Sequence, residues 1–164
     1  MASTTIPVSR QRRRRFPSAR IQRILGVAAA TCLAIDAYVH FRDAGFYGAV
    51  TTSVLSQATL FRVQASLAAA VGLALLIRPS RAWWAAALVI AGSACGAVML
   101  YRYVNVGTLG PIPNMYEPTW ASPGKLASAG AEGAATILAG AGLLVALCEG
   151  RWTAPRRPAP PAAA

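Results

Sequence analysis

Few residues in this chain are equipped for chemistry. Its five acids are Asp36, Asp43, Glu117, Glu132 and Glu149, and His40 is its single histidine. Cys32, Asp36, His40 and Asp43 recur at i, i+4, i+8 and i+11, which is one stripe of a helix. A carboxylate one turn from an imidazole can pair charge, pass a proton or respond to pH near neutrality. His40 has no second histidine, cysteine or carboxylate set at metal-ligand spacing, so neither a metal site nor a cofactor is expected. No nucleophile–base pattern is visible, so an enzyme is the less favoured class.

Asp36 and Glu132 both fall within long apolar runs, and so does Arg62. Thr59, Arg62 and Ser66 make a second polar stripe, and Ser128, Glu132 and Thr136 a third. A lone charge at the centre of a bilayer costs about 2.5–3.5 kcal/mol on insertion scales, so such groups pair or line water. The expectation is a buried ionic layer of Asp36, Arg62 and Glu132 with His40 beside it. Arg102 would bring the layer close to neutrality, and Tyr103 would stand above it. Two roles remain open. The layer either registers the helices or forms the floor of a ligand pocket.

The elements that must position these residues are apolar helices. The chain is 55% hydrophobic and 13% charged, about half the charged fraction of a soluble domain. The predicted fold is all-α, a four-helix transmembrane bundle over residues 24–149, with spans near 24–41, 54–77, 82–101 and 126–148. Residues 42–57 are ambiguous between a short interfacial helix and an early start of the second span. Trp83 and Trp84 are expected to mark one membrane interface, and Tyr101 and Tyr103 the other. The loop to Lys125 holds Pro111, Pro113, Pro118 and Pro123, which favour an ordered cap over the bundle.

The net charge of +11 sits mostly in the tails. Residues 1–23, with Arg12 to Arg15, and the Pro/Ala-rich residues 150–164 are expected to be disordered cytoplasmic termini. Arg13-Arg14-Arg15-Phe16 has part of a twin-arginine export signal, but Pro17 and three later spans favour an uncleaved first span. With the N-terminus inside, twelve basic residues lie on the inner side and four on the outer. That bias puts both termini in the cytoplasm of a multi-pass protein of the cell membrane. The basic N-terminal tail suits anionic lipid, whereas nothing interleaves aromatics with charge as nucleic-acid binding would need. Gly92 and Gly96 form a G-x-x-x-G that can pack within the bundle or against another chain, including a second copy. Cys32, Cys95 and Cys148 lack C-x-x-C spacing, so a disulfide framework is not expected.

Three stretches carry a resemblance. They are Asp36-Ala37-Tyr38-Val39-His40, Leu60-Phe61-Arg62-Val63-Gln64-Ala65, and Tyr101-Arg102-Tyr103 through Gly110-Pro111 to Met115-Tyr116-Glu117-Pro118. In these the chain resembles small uncharacterised four-span membrane proteins of high-GC, actinobacterial-type bacteria. In span count and size it is also distantly similar to DoxX-like proteins. The first resemblance implies membrane topology; the second would imply a redox or quinone partner. The expected function is that of a non-enzymatic accessory or structural membrane subunit. The alternatives are a carrier or receptor for a lipophilic or weakly ionic ligand in an outward-facing pocket, and a DoxX-like redox protein.

Overall fold

The computed structural model describes residues 18–122 and 124–152. Its elements are α1 (Ser18–Asp43), α2 (Gln57–Ile77), α3 (Arg81–Tyr103) and α4 (Lys125–Trp152). All four are long and apolar enough to cross a membrane. The shortest, α2, has 21 residues, a rise of about 31 Å against a hydrocarbon core of about 30 Å. The predicted all-α, four-helix architecture therefore stands.

Helix ends differ from the predicted spans for local reasons. α2 starts at Gln57 rather than 54 because Ser56 is extended and its side chain accepts the Thr59 N–H. Ser80 caps α3 in the same way, through the N–H of Trp83. α1 begins at Ser18, so residues 18–23 belong to a helix and not to a disordered tail. α4 likewise continues to Trp152. The rest of both predicted tails lies outside the described residues. Residues 44–56 form neither predicted alternative. They are turns closed by a bridge between Thr51 and Ser56.

α1 packs against α2 and α4, and α4 against α3, while α2 and α3 touch far less. Lipid gives helices no hydrophobic reason to associate, so close approach of small residues holds them. A side chain at Gly72 would lie 3.5 Å from the Leu33 Cβ, and one at Gly26 would lie 3.4 Å from the Leu75 carbonyl. Ala87 and Ala91 of α3 and Ala135 and Ala139 of α4 are fully buried in the shared core. Gly92 faces Thr136 of α4, whereas Gly96 has open space beside it. Val27, Leu73, Val89, Ile137 and Leu144 are exposed. That apolar jacket suits lipid and would be an aggregation hazard in water.

At the end where α1 begins and α4 finishes, Trp84 is fully buried. Its indole N–H donates to Gln22 Oε1 at 2.5 Å, and Gln22 Nε2 donates to the Gly142 carbonyl at 3.1 Å. Only Trp83 is exposed as an interface marker should be, which corrects the predicted pair. At the opposite, loop end, Tyr103 is exposed and Tyr101 is buried.

Candidate functional site

Asp36, Gln64 and Glu132 each lie seven residues from the loop end of their helix, Asp43, Gln57 and Lys125 respectively. Seven residues rise about 10 Å, so three helices place a polar group in one layer. Asp36 and Glu132 are fully buried and His40 is 8% exposed. His40 Nδ1 lies 2.8 Å from Asp36 Oδ1 and 3.1 Å from the Asp36 backbone carbonyl. Its Nε2 lies 3.9 Å from Glu132 Oε1. Ser128 of α4 joins the halves, with its hydroxyl 3.1 Å from Asp36 Oδ1 and 2.9 Å from Glu132 Oε1. Gln64 donates to Asp36 Oδ2 at 3.1 Å.

Of the residues expected in the layer, the structure brings together Asp36, His40 and Glu132, but not Arg62, Arg102 or Tyr103. Arg62 is exposed on α2 and makes no ion pair among the described residues. Gln64, two residues on, reaches Asp36 in its place. The buried face of α2 is Gln57, Ala58, Ala65, Ala68, Val71, Gly72 and Leu75, and the Thr59–Arg62–Ser66 stripe lies on the far side of the helix. The seven-residue repeats Gln57–Gln64 and Ala58–Ala65–Gly72 were the available signal for this rotation. Arg102 and Tyr103 also stand away from the layer. The Arg102 guanidinium lies 5.1 Å from the Tyr103 ring and 5.5 Å from Trp120, within the cap.

Ser128 does not build a nucleophilic triad. In such a triad the serine and the carboxylate use opposite imidazole nitrogens. Here both Ser128, at 3.4 Å, and Asp36 face Nδ1. The single hydroxyl hydrogen also cannot serve both carboxylates at once. Glu132 Oε2 is buried with no hydrogen-bond partner among the described residues.

A cavity of about 540 Å³ lies beside the layer, where α2 and α3 part. His40, Gln64 and Ser128 form its wall toward the layer. Leu60, Phe61 and Leu67 from α2 and Ala94, Ala97 and Val98 from α3 make it largely apolar. Its loop-end rim is polar, with Tyr47, Glu117 and Lys125, and Ile112 and Met115 of the cap complete it. His40 stands edge-on to Phe61 with centroids 4.8 Å apart. Tyr103, expected above the layer, does not line this cavity; Tyr47 and Tyr101 do.

Glu117 pins the cap. Its N–H donates to the Tyr101 carbonyl at 3.0 Å. Its carboxylate accepts from Tyr47 at 3.1 Å, from Lys125 Nζ at 3.3 Å and from the Ser122 hydroxyl. Burial works to raise the Glu117 carboxyl, but the Ser122 hydrogen bond and the Lys125 ammonium outweigh it and hold the group below its ordinary value. Burial, followed by the adjacent Glu117 charge, pushes the Tyr47 phenol up. Thr52 adds a bond to the Pro111 carbonyl at 2.8 Å, so the proline loop is an ordered cap as predicted.

No family model, curated protein or solved structure matches this chain significantly.

Proposed function

We propose that this protein is a non-enzymatic carrier or receptor for a lipophilic molecule with a small polar head, held in the cavity between α2 and α3. The observation that carries this is the cavity. An accessory subunit needing only a registered polar layer would have no reason to keep about 540 Å³ open against it. Empty apolar volume lowers stability, and sites that take small molecules are apolar with a few convergent polar groups. The parting of α2 and α3 offers entry from the lipid side. Arg42 with Asp43 and Lys125 with Glu117 are paired near the rim, which favours a neutral, hydrogen-bonding head over an ion.

The twelve-to-four basic bias supports a multi-pass protein of the cell membrane with both termini cytoplasmic. The cavity would then face the outer half. The test is native mass spectrometry of protein extracted in mild detergent. Wild type should carry a lipophile that Ala97→Trp loses while remaining folded. An empty wild type, or unchanged occupancy in the variant, rejects the proposal. A redox role of the DoxX-like kind would instead bring a co-purifying chromophore visible by absorption.

One observation favours the accessory-subunit reading alongside this. Arg62 and Ser66 are exposed on a helix face that would otherwise meet lipid. A partner chain covering that face would appear in the same spectra as a higher mass that Arg62→Leu abolishes.

A further inference from the structure

We infer that Asp36, His40 and Glu132 form a site for one divalent transition-metal ion. The spacing along the sequence predicts no such site, because the ligands are divided between α1 and α4. In the folded chain each residue offers one ligand atom, and these atoms lie within 4.8 Å of one another. A tetrahedral ion with bonds of about 2.0–2.2 Å places its ligands about 3.3–3.6 Å apart. His40 Nε2 and Glu132 Oε1 are 3.9 Å apart, and the widest pair, at up to 4.8 Å, would have to close by about 1.2 Å through side-chain rotation.

Charge and proton counts point the same way. Two carboxylates are fully buried, and no lysine or arginine pairs with either among the described residues. The Ser128 hydroxyl has one hydrogen to offer Asp36 Oδ1 and Glu132 Oε1, at 3.1 and 2.9 Å. Glu132 Oε2 makes no hydrogen bond among the described residues. One divalent ion neutralises both carboxylates with His40 uncharged, and it gives Oε2 a partner. Buried charges that are not paired in this way are expensive.

The surroundings also fit an ion. A ligating histidine nearly always donates its other N–H to a carbonyl or carboxylate. His40 Nδ1 has the Asp36 carbonyl at 3.1 Å for that purpose. Nδ1 also lies 2.8 Å from Asp36 Oδ1, so ion binding would move its N–H onto the carbonyl, leaving Nε2 as the ligand atom and freeing the Asp36 carboxylate. Gln64 on Asp36 Oδ2 and the Ser128 hydroxyl on one of the two acids would then orient the ligating carboxylates. One imidazole with two carboxylates suits zinc, manganese or ferrous iron better than a soft ion. His40 and Ser128 also line the cavity, so the layer is in contact with it.

The site does not depend on a lipophile being bound. The test uses full-length protein purified with a chelator and then titrated with Co²⁺ or Zn²⁺. Wild type should retain one ion per chain after gel filtration. Co²⁺ should give visible d–d bands, and zinc-edge absorption fine structure should show one imidazole with oxygen ligands. Glu132→Gln and His40→Phe should lose retention, and Ser128→Ala should weaken affinity about 10-fold or more. Ala97→Trp should still bind the ion, which separates this result from loss of the lipophile. Wild type that retains no ion, or a spectrum with sulfur ligands and no imidazole, overturns the assignment whether or not the variants fold.

Discussion

Asp36 shows how a buried acid chooses its partner. A charge count alone selects Arg62, yet the side chain that arrives is the neutral amide of Gln64. The exchange is measurable. Arg62→Gln should shift unfolding of the detergent-solubilised protein by no more than about 0.5 kcal/mol, as at an ordinary exposed site. Gln64→Leu should cost about 1 kcal/mol, the usual scale of an interhelical hydrogen bond. Equal losses from the two variants would restore the arginine as partner. Glu117 makes a second residue-scale prediction. Its carboxyl is depressed in the folded chain, so its contribution is present above the unfolded carboxylate value and lost as pH falls through the folded one. Protection against amide exchange in residues 104–122, relative to the intrinsic rate at each pH, should therefore fall below about pH 4. Glu117→Ala should show the lower protection already at neutral pH, and a wild-type cap that stays equally protected on acidification would exclude this latch.

At the scale of elements, the helices are held by shape more than by hydrophobicity. Gly142 is the sharpest case. A Cβ there would lie 2.5 Å from the Trp84 ring, and that ring is fixed by Gln22. Gly142→Ala must move α3 from α4 and should destabilise by about 1–3 kcal/mol, the range for overpacking a tight contact. Thermal unfolding in detergent checks this, and an unchanged midpoint would mean the contact is looser than described. Gly124 serves the other end of α4. Its φ of +80° and the neighbouring Arg42, Val39 and Asp43 leave no room for a side chain. Tight packing of α1 with α2, and of α4 with α1 and α3, contrasts with the parting of α2 and α3. That single loose seam is where the cavity lies.

Across the whole molecule, four antiparallel apolar helices place both described chain ends on one side and the cap on the other. A reporter fused after Arg151 should be active in the cytoplasm, and one inserted at Gly107 should be active outside. The reverse pattern would invert the proposed orientation and turn the cavity toward the cytoplasm. Much of this scaffold is legible in the sequence. Length and apolarity determine four spans, because a bilayer admits only segments that satisfy their own backbone. The prolines of residues 111–118 give the cap, and the stripes of α1 and α4 place Asp36 and Glu132 on inward faces at one depth, with His40 and Ser128 one turn nearer the loop end. Charge placement in the sequence could not supply the rotation of α2. That angle follows from how Ala58, Ala65 and Gly72 let its backbone approach α1, a sum of close contacts that no single charged residue dictates. The burial of Trp84, the exposure of Arg62, the gap between α2 and α3 and the meeting of His40 with Glu132 are likewise tertiary decisions. Each depends on how two helices fit, and neither helix encodes that fit alone.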